Sequence, residues 1–386
     1  MSERDGHLLD KALAEAARAS WLFSAPNPRV GALAMAGGHV VGRGSHRRFG
    51  GPHAEEAALR DAGAWDDRSG GPLAGIVDEM VVSLEPCSAS GGEKRRPPCV
   101  GLLQRAGVSR VLVGAVDPDP RHAGRGLEQL AAAGIAVRRS DRQQAFAESN
   151  GCFLDALAQP TRPWVLLKWA ASFDGKTATD GGLSQWISGP ESRREVHLLR
   201  AVGDAVLAGP GTLRADDPRL DARPADAPAA EQPLRVLLLP DGRLTDGAAA
   251  LEASGPRLWL LAEGAEPSVC LRRALDAGDA ALRLAADPAG RLDLADALVW
   301  LRRERGIRRL LVEGGPRLQG ALLDAGLADA VVRYEAPLLL GGGHGALLGA
   351  GADHPRRASR LVDEERAALG PDLRRAFRVL PPEPSS

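Results

Sequence analysis

The chain is poor in cysteine, with Cys87, Cys99, Cys152 and Cys270 the only four among 386 residues. So thin a supply fits a reducing compartment better than a disulfide framework. An excess of charge of one sign is also missing, since 49 basic against 50 acidic side chains leave −1 at pH 7. Without a basic field nothing gathers a polyanion, and no nucleic-acid partner is expected. No run of the sequence approaches the ~20 apolar residues that span a bilayer. The segment from Met1 to Lys11 is charged and lacks the apolar stretch and cleavage site of a secretory signal. A cytoplasmic protein with no membrane contact is the expectation. No internal repeat or long low-complexity segment is present either. What remains is an ordinary globular composition, 44% apolar and 26% charged. The length suits two domains at the usual ~100–200 residues each.

Apolar residues fall at helical spacing from Leu8 to Ala19, and Pro26 and Pro28 stop that helix. Val30–Met35 and Val40–Val41, joined by Gly37–Gly38, read as a hairpin. His53–Ala62 has helical composition. After the Gly-rich stretch Arg68–Gly75, Glu79–Leu84 reads as a buried strand, Val100–Ala106 as a helix and Val108–Ala115 as a strand; Leu127–Ala133 and Ile135–Arg138 repeat that order. Helices packed on a sheet, an α/β layering, are implied. Gln159–Pro163, with two prolines, breaks the pattern just before an apolar strand at Trp164–Ala170. That places a domain boundary near residue 158, giving domains 1–158 and 159–386. Beyond it, strands at Ala205–Ala208, Arg235–Leu239, Leu258–Leu261, Arg309–Val312 and Ala330–Tyr334 alternate with helical stretches such as Ser192–Arg200. Asp221–Gln232, rich in Ala, Pro and Asp, reads as an exposed loop, and Pro381–Ser386 as a frayed tail.

Chemistry concentrates in the first half. His53-Ala54-Glu55 is followed by Pro86-Cys87 and then Pro98-Cys99, the order of the zinc-deaminase signature. One imidazole and two thiolates make a three-ligand zinc site whose fourth position is open to water, and the metal lowers that water's pKa towards neutrality. Glu55, two residues after the histidine on the first turn of its helix, reaches that water without ligating the metal and serves as proton shuttle. Cys87 and Cys99 are expected at or near a helix start, where the dipole favours thiolate. A lone His-Ala-Glu is common by chance, and two cysteines are often small buried hydrophobes. Their ordered combination, each cysteine preceded by proline, is harder to dismiss. Eleven residues, Ser88 to Pro98, separate the cysteines, where nucleoside and nucleotide deaminases use P-C-x-x-C; this points away from cytidine, dCMP and tRNA-editing enzymes.

Further blocks carry a resemblance. Ala25–Gly31, Gly42–His46, Leu84–Ser88 with Pro97–Cys99, and Asp117–Pro120 are similar to the deaminase half of the bifunctional riboflavin-biosynthesis deaminase/reductase family. Lys168–Lys176, Ser184–Ser188, Leu199–Ala201, Gly211–Thr212 with Asp216–Pro218, and Val312–Pro316 resemble its reductase half. The likeness covers nearly the whole chain. It implies a cytidine-deaminase-like three-layer domain followed by a dihydrofolate-reductase-like α/β domain. The first would remove the 2-amino group of a diaminopyrimidinone carrying a ribosylamino phosphate. The second would reduce the ribosyl group to ribityl with NADPH. The implied cofactors are one zinc ion per chain and NADPH, and the implied partners are this phosphorylated pyrimidine and further copies of the chain, as dimer or tetramer.

Residue by residue, Asn27 offers donor and acceptor to a pyrimidine edge and His46 a second polar contact, although an Asn in such a loop also suits turn geometry. Arg200 and Arg223 have the fork to grip a phosphate; taken singly, either is more readily a solvated surface charge. By resemblance Ser184, Leu220 and Glu313 line the ribosyl substrate, while Ala170 and Trp186 lie at the nicotinamide cofactor. Thr212 and Asp216 join them, together with the run Gly315, Pro316, Arg317, Leu318, Gln319, Gly320 and Ala321, where an apolar strand turns through glycines into a helix and offers backbone N–H groups to a cofactor phosphate.

The chain also departs from the family. Ala89 and Ser90 stand where histidines commonly follow Cys-Ser, and the loop between the cysteines is three residues longer. Lys94, Arg95 and Arg96 in that loop offer positive charge for a phosphate or form a solvated run. Asp119 replaces the usual asparagine. The segment around Asp66–Gly75 is an insertion, and Leu238–Asp241 lacks the usual Asp-Ser pair. A relative acting on another aminopyrimidine, or a zinc-stabilised binding protein, are the competing readings.

Overall fold

The computed structural model describes residues 2–88, 96–224, 229 and 231–382. Ala89, Ser90, Lys94 and Arg95 therefore lie outside the described residues, as do parts of the Asp221–Gln232 segment and of the tail. The chain divides into two compact units, Met1–Ala158 and Gln159–Ser386.

In the first unit, β1 (Gly31–Ala36), β2 (His39–Ser45), β3 (Glu79–Val82), β4 (Arg110–Val113) and β5 (Ala136–Arg139) form one sheet in the order β2-β1-β3-β4-β5. β1 runs antiparallel to both its neighbours, whereas β3, β4 and β5 are parallel. Successive strand residues point to opposite faces, and both faces are apolar here. Ala32, Ala34, Met80, Val82, Val111 and Val113 pack against α2 (Ala54–Asp61), α3 (Cys99–Arg105) and α4 (Arg125–Ala132). The alternate set, Leu33, Met35, Val81 and Leu112, packs against Leu8, Leu9 and Ala12 of α1 (Glu3–Ala17). Helix, sheet and helix make three layers.

Two glycines set how closely α2 lies on that sheet. A Cβ at Gly42 would fall 2.3 Å from the Ala58 carbonyl, and one at Gly44 would fall 2.2 Å from the Ala54 carbonyl. Strand and helix backbones thus touch directly, with no side chain between them. Helix α2 begins at His53, its N-cap residue, and carries Glu55 on its first turn.

The second unit holds a nine-stranded sheet built from β6 (Trp164–Ser172), β7 (Ala205–Ala208), β8 (Leu234–Leu238), β9 (Arg257–Ala262), β10 (Ala280–Leu284), β11 (Arg309–Val312), β12 (Ala330–Ala336), β13 (Arg360–Leu369) and β14 (Asp372–Leu380). Their order is β10-β9-β8-β7-β11-β6-β12-β14-β13. The strands are parallel from β10 to β12, and an antiparallel hairpin, β13 with β14, completes the β12 edge. Parallel strands covered on both faces read as continuous apolar runs, as β7 and β11 do. Leu298 and Leu301 of α7 (Leu294–Arg305) and Leu318 and Leu322 of α8 (Pro316–Asp324) pack onto Val165, Leu167, Leu207 and Val312. Two shorter helices matter below: α5 (Pro190–Val202) and α6 (Pro210–Ala215).

One sequence expectation needs correction. The Asp221–Gln232 segment does not begin exposed, because Asp221 and Ala222 are buried. The side-chain amide of Gln232 closes that loop on Ala222, accepting from its N–H at 2.8 Å and donating to its carbonyl at 3.0 Å. The Gly-rich insertion is partly ordered as a short ladder between Trp65–Asp66 and Gly71–Pro72. Among the described residues, no helix is long and apolar enough to cross a membrane.

Candidate functional site

His53, Cys87 and Cys99 converge on one point of the first unit. Nδ1 of His53 lies 3.1 Å from Sγ of Cys99 and 3.7 Å from Sγ of Cys87, and the three donor atoms are all within 4.8 Å of one another. A tetrahedral zinc with bonds of ~2.0–2.3 Å spaces its ligands by about 3.5–3.8 Å, so the donors need little movement to close on the ion. A nitrogen and two sulfurs also suit zinc in chemistry. Cys99 opens α3. Cys87 sits on no helix of its own but lies against that same helix start, its sulfur accepting from the Cys99 backbone N–H at 3.4 Å.

Glu55 is buried beside the cluster. Burial pushes its carboxyl above the ordinary value, against the opposing pull of His53. The Cys99 thiol is pushed well up, first by its hydrogen bond with Cys87 and then by burial. A divalent ion inverts this logic, because it ionises a coordinating thiol outright.

His46 stands behind His53, with ring centroids 5.5 Å apart and edge to face. Its Nδ1 is 2.9 Å from the Pro52 carbonyl and its Nε2 3.2 Å from the Asn27 amide nitrogen. A carbonyl only accepts, so Nδ1 carries the hydrogen and Nε2 accepts from Asn27. Burial, then the neighbouring His53, lowers its pKa to about 4, in keeping with a neutral ring. Both ring nitrogens are engaged inside the protein, so His46 orients Asn27 rather than presenting a polar atom of its own.

The Cys87 loop is anchored by its neighbour Glu85, which the sequence reading did not single out. One carboxylate accepts from the backbone N–H groups of Asp117 at 3.2 Å, Gly124 at 2.9 Å and Gly126 at 2.8 Å. The last two belong to the start of α4, where the helix dipole favours a negative charge. A Cβ at Gly126 would fall 2.1 Å from the Pro86 carbonyl, so only glycine lets α4 approach the segment carrying Cys87. Asp119 adds no unmatched charge: Arg121 donates to its two oxygens through Nε at 3.0 Å and Nη2 at 2.7 Å. Arg96 is likewise engaged, its Nη2 lying 2.9 and 3.0 Å from the oxygens of Glu56.

A second site is a cavity of about 610 Å³ in the second unit. It opens at the carboxyl ends of β6, β7 and β11, where the chain order of the parallel sheet reverses, the usual place for a ligand in such sheets. Ala170, Ser184, Trp186, Arg200, Thr212, Asp216, Leu220, Arg223, Glu313, Gly315, Pro316 and Gln319 all line it. Arg317, Leu318, Gly320 and Ala321 do not. Leu318 packs in the core, and Gly320 faces the backbone of Leu348 so closely that a Cβ would fall 2.5 Å from it.

The cavity's ion pairs change one expectation. The guanidinium of Arg200 meets Glu313 through Nε at 2.5 Å and Nη2 at 2.9 Å, and its Nη1 donates to the Asp221 carbonyl at 3.0 Å. Its fork is therefore turned onto the protein and not outward to a phosphate. Arg223 pairs with the Asp221 carboxylate but keeps a side chain that is 41% exposed. Burial alone would raise the Glu313 carboxyl, yet Arg200 and Lys168 outweigh it and bring it to about 2. Ser184 donates to Asp216 at 2.6 Å. Leu220, buried, has φ of +56°, a left-handed conformation that costs a branched side chain of order 1 kcal/mol and concentrates at functional sites.

Lys168, Arg193 and His197 also line the cavity, and none was singled out from the sequence. The signals were present: Lys168 is a lone charge inside an apolar strand, while Arg193, His197 and Arg200 recur on one face of α5 at helical spacing.

The comparisons with known proteins follow the same division. Residues 2–115 match the cytidine and deoxycytidylate deaminase zinc-binding region, and residues 163–373 match the RibD C-terminal domain. The chain is 36% identical over 362 residues to the riboflavin biosynthesis protein RibD of Escherichia coli, covering 90% of this chain and 92% of that protein. It is 35% identical over 359 residues to RibD of Chlamydia pneumoniae, covering 92% and 91%. Among solved structures, Acinetobacter baumannii RibD superposes with a TM-score of 0.69 at 32% identity over 98% of this chain and 99% of that one. A Thermotoga maritima diaminohydroxyphosphoribosylaminopyrimidine deaminase/5-amino-6-(5-phosphoribosylamino)uracil reductase gives a TM-score of 0.66 at 28% identity over the same shares.

Proposed function

Because the chain belongs to the RibD family of riboflavin biosynthesis proteins, we propose that its two sites perform consecutive steps on one pyrimidine. It is a bifunctional enzyme, a deaminase joined to a reductase. Its architecture is a cytidine-deaminase-like domain followed by a dihydrofolate-reductase-like α/β domain. We assign the first activity to residues 1–158 and the second to residues 159–386.

In the first, His53, Cys87 and Cys99 hold zinc, which when bound supplies the charge that brings a water's pKa towards neutrality. Glu55 takes a proton from that water and returns it to the departing 2-amino group, a role suited to a buried carboxyl with a raised pKa. Asn27, held by His46, contacts the pyrimidine edge. Glu85 keeps the Cys87 segment in register with α4.

In the second, NADPH when bound supplies hydride to the ribosyl carbon. The start of α8, where Gly315 and Pro316 precede the first free N–H groups, would hold the cofactor's phosphates, and Thr212 and Asp216 would contact the cofactor elsewhere. Trp186 and Ala170, which line the cavity, would flank the nicotinamide. Ser184, Leu220, Arg223 and the Arg200–Glu313 pair surround the sugar. Arginine does not give up a proton, so Lys168, 3.5 Å from Glu313, is the cation that protonates the sugar oxygen as the ring opens. The substrate carries a 5′-phosphate, for which Arg219 and Arg223 supply partly exposed positive charge at the cavity wall. The chain works in the cytoplasm, in keeping with its sparse cysteines, and self-associates, as its family resemblance implies.

The observation that carries this reading is the convergence of one nitrogen, two sulfurs and a buried carboxyl in a chain that also holds the Glu313 cavity. The test is incubation of purified zinc-loaded protein with 2,5-diamino-6-ribosylamino-4(3H)-pyrimidinone 5′-phosphate and NADPH. Stoichiometric ammonia followed by NADPH oxidation is expected. No ammonia from protein with bound zinc would instead favour another aminopyrimidine as substrate.

A further inference from the structure

Helix α5 turns Arg193, His197 and Arg200 to the reductase cavity. Two of these are committed within the protein. Arg200 is held by Glu313, and Arg193 donates to the Ser188 carbonyl at 2.5 Å with its guanidinium 4.7 Å from the Trp186 ring centroid.

His197 is held at one nitrogen only. Its Nδ1 lies 3.2 Å from the backbone N of Arg223 and 3.2 Å from the Asp221 carbonyl. A backbone N–H can only donate, so Nδ1 is the bare nitrogen that accepts from Arg223. The Asp221 carbonyl does not need the imidazole, because it already accepts from Arg200 at 3.0 Å. The hydrogen of the ring is then on Nε2. Among the described residues nothing accepts from that atom, and the ring forms part of the cavity wall. Burial, then the positive charges of Arg200 and Arg223, keep the imidazole below its ordinary pKa, against the weaker pull of the Glu313 carboxylate. The uncharged ring is therefore the form at neutral pH.

The loop that His197 anchors is the cationic one. Among the described residues Arg219 and Arg223 share a single carboxylate, Asp221, which leaves one positive charge unmatched there beside the imidazole. An anion completes that arrangement, and a neutral N–H adds a hydrogen bond to it without needing a counter-charge of its own.

We propose that His197 is a further substrate-binding residue of the reductase, donating its Nε2–H to a phosphate oxygen of the phosphorylated ribosyl substrate while its Nδ1 fixes the Asp221–Arg223 loop. This rests on the reductase reading above.

The two roles separate by substitution. In His197→Asn the side-chain oxygen replaces Nδ1 as acceptor for Arg223, but nothing reaches the place of Nε2. In His197→Gln a donor is restored near Nε2. With the deaminated pyrimidine phosphate supplied directly, His197→Asn should raise KM for that substrate about tenfold, the worth of one hydrogen bond to a charged group, leaving KM for NADPH and kcat nearly unchanged. His197→Gln should recover most of the loss, and the penalty should vanish with the dephosphorylated substrate. A wild-type KM in His197→Asn, a rise confined to the NADPH KM, or equal losses in both variants would overturn the proposal. Wild-type protein that fails to oxidise NADPH with this substrate would instead overturn the reductase reading, and this proposal with it.

Discussion

Glu313 faces Arg200 as a two-point pair, Oε1 to Nε at 2.5 Å and Oε2 to Nη2 at 2.9 Å. The pair joins the end of β11 to α5 across the cavity. Lys168 approaches the same carboxylate from β6. Three elements that are distant in sequence are thus held by one acidic side chain.

Glu313→Gln keeps the shape and removes the charge, leaving two half-buried cations, Arg200 and Lys168, without their counter-charge. Reduction should fall by roughly a hundredfold or more, the scale of a misplaced or unpaired group at a reacting centre. Ammonia release should be unchanged. Parallel assays of NADPH oxidation and ammonia on the same preparation check both halves of this expectation.

The same carboxyl predicts a pH dependence. Held at about 2 against its ordinary 4.5, it contributes about 3 kcal/mol of folding stability at neutral pH. Because the folded-state pKa is the lower one, the contribution is complete above about pH 4.5 and is lost as pH falls towards 2. Urea midpoints of wild type and Glu313→Gln should therefore differ most at pH 7 and converge as the pH is lowered through 4 and 3. A gap that widened on acidification would reverse the sign.

At the metal cluster, His53→Ala should reduce zinc from one per chain to a small fraction and abolish ammonia release. Glu55→Gln should keep the zinc and still lose deamination by about 10²–10⁴-fold. Both should reduce a supplied deaminated substrate at the wild-type rate. Metal analysis alongside the two assays distinguishes a lost ligand from a lost proton carrier, and a Glu55→Gln protein with full deaminase activity would remove that residue from the mechanism.

Glu85 and Gly126 yield a prediction about stability. Glu85→Ala leaves three backbone N–H groups without their carboxylate and should cost about 2–3 kcal/mol, given ~1–3 kcal/mol for a buried group deprived of its partner and partial rescue by water. Gly126→Ala forces a methyl group onto the Pro86 carbonyl and should lower zinc affinity by displacing Cys87. Thermal unfolding followed with a zinc-sensitive dye reads both effects. Wild-type zinc affinity in Gly126→Ala would show that α4 moves aside freely.

Much of this was readable beforehand where one physical rule dominates. β7 and β11 fall at Ala205–Ala208 and Arg309–Val312 as their apolar runs require, because a strand buried on both faces has little sequence freedom. The convergence of His53, Cys87 and Cys99 was readable because a zinc site constrains both spacing and residue type. The β13–β14 hairpin was not. Its residues are rich in arginine, leucine and alanine, good helix formers placed in strands at a sheet edge by pairing with β12, and tertiary context overrides propensity there. Glu85 and His197 also escaped notice. Each acts through backbone atoms of a distant loop, and which backbone atoms will face a side chain is decided only once the chain has folded.

The bare backbone contact between Gly44 and α2 reaches further than packing. A substitution there would act as a wedge under the segment that begins at His53, tilting imidazole and carboxyl together away from the two sulfurs. In a library of random variants, position 44 would then tolerate as little as a ligand does, although it touches neither metal nor pyrimidine.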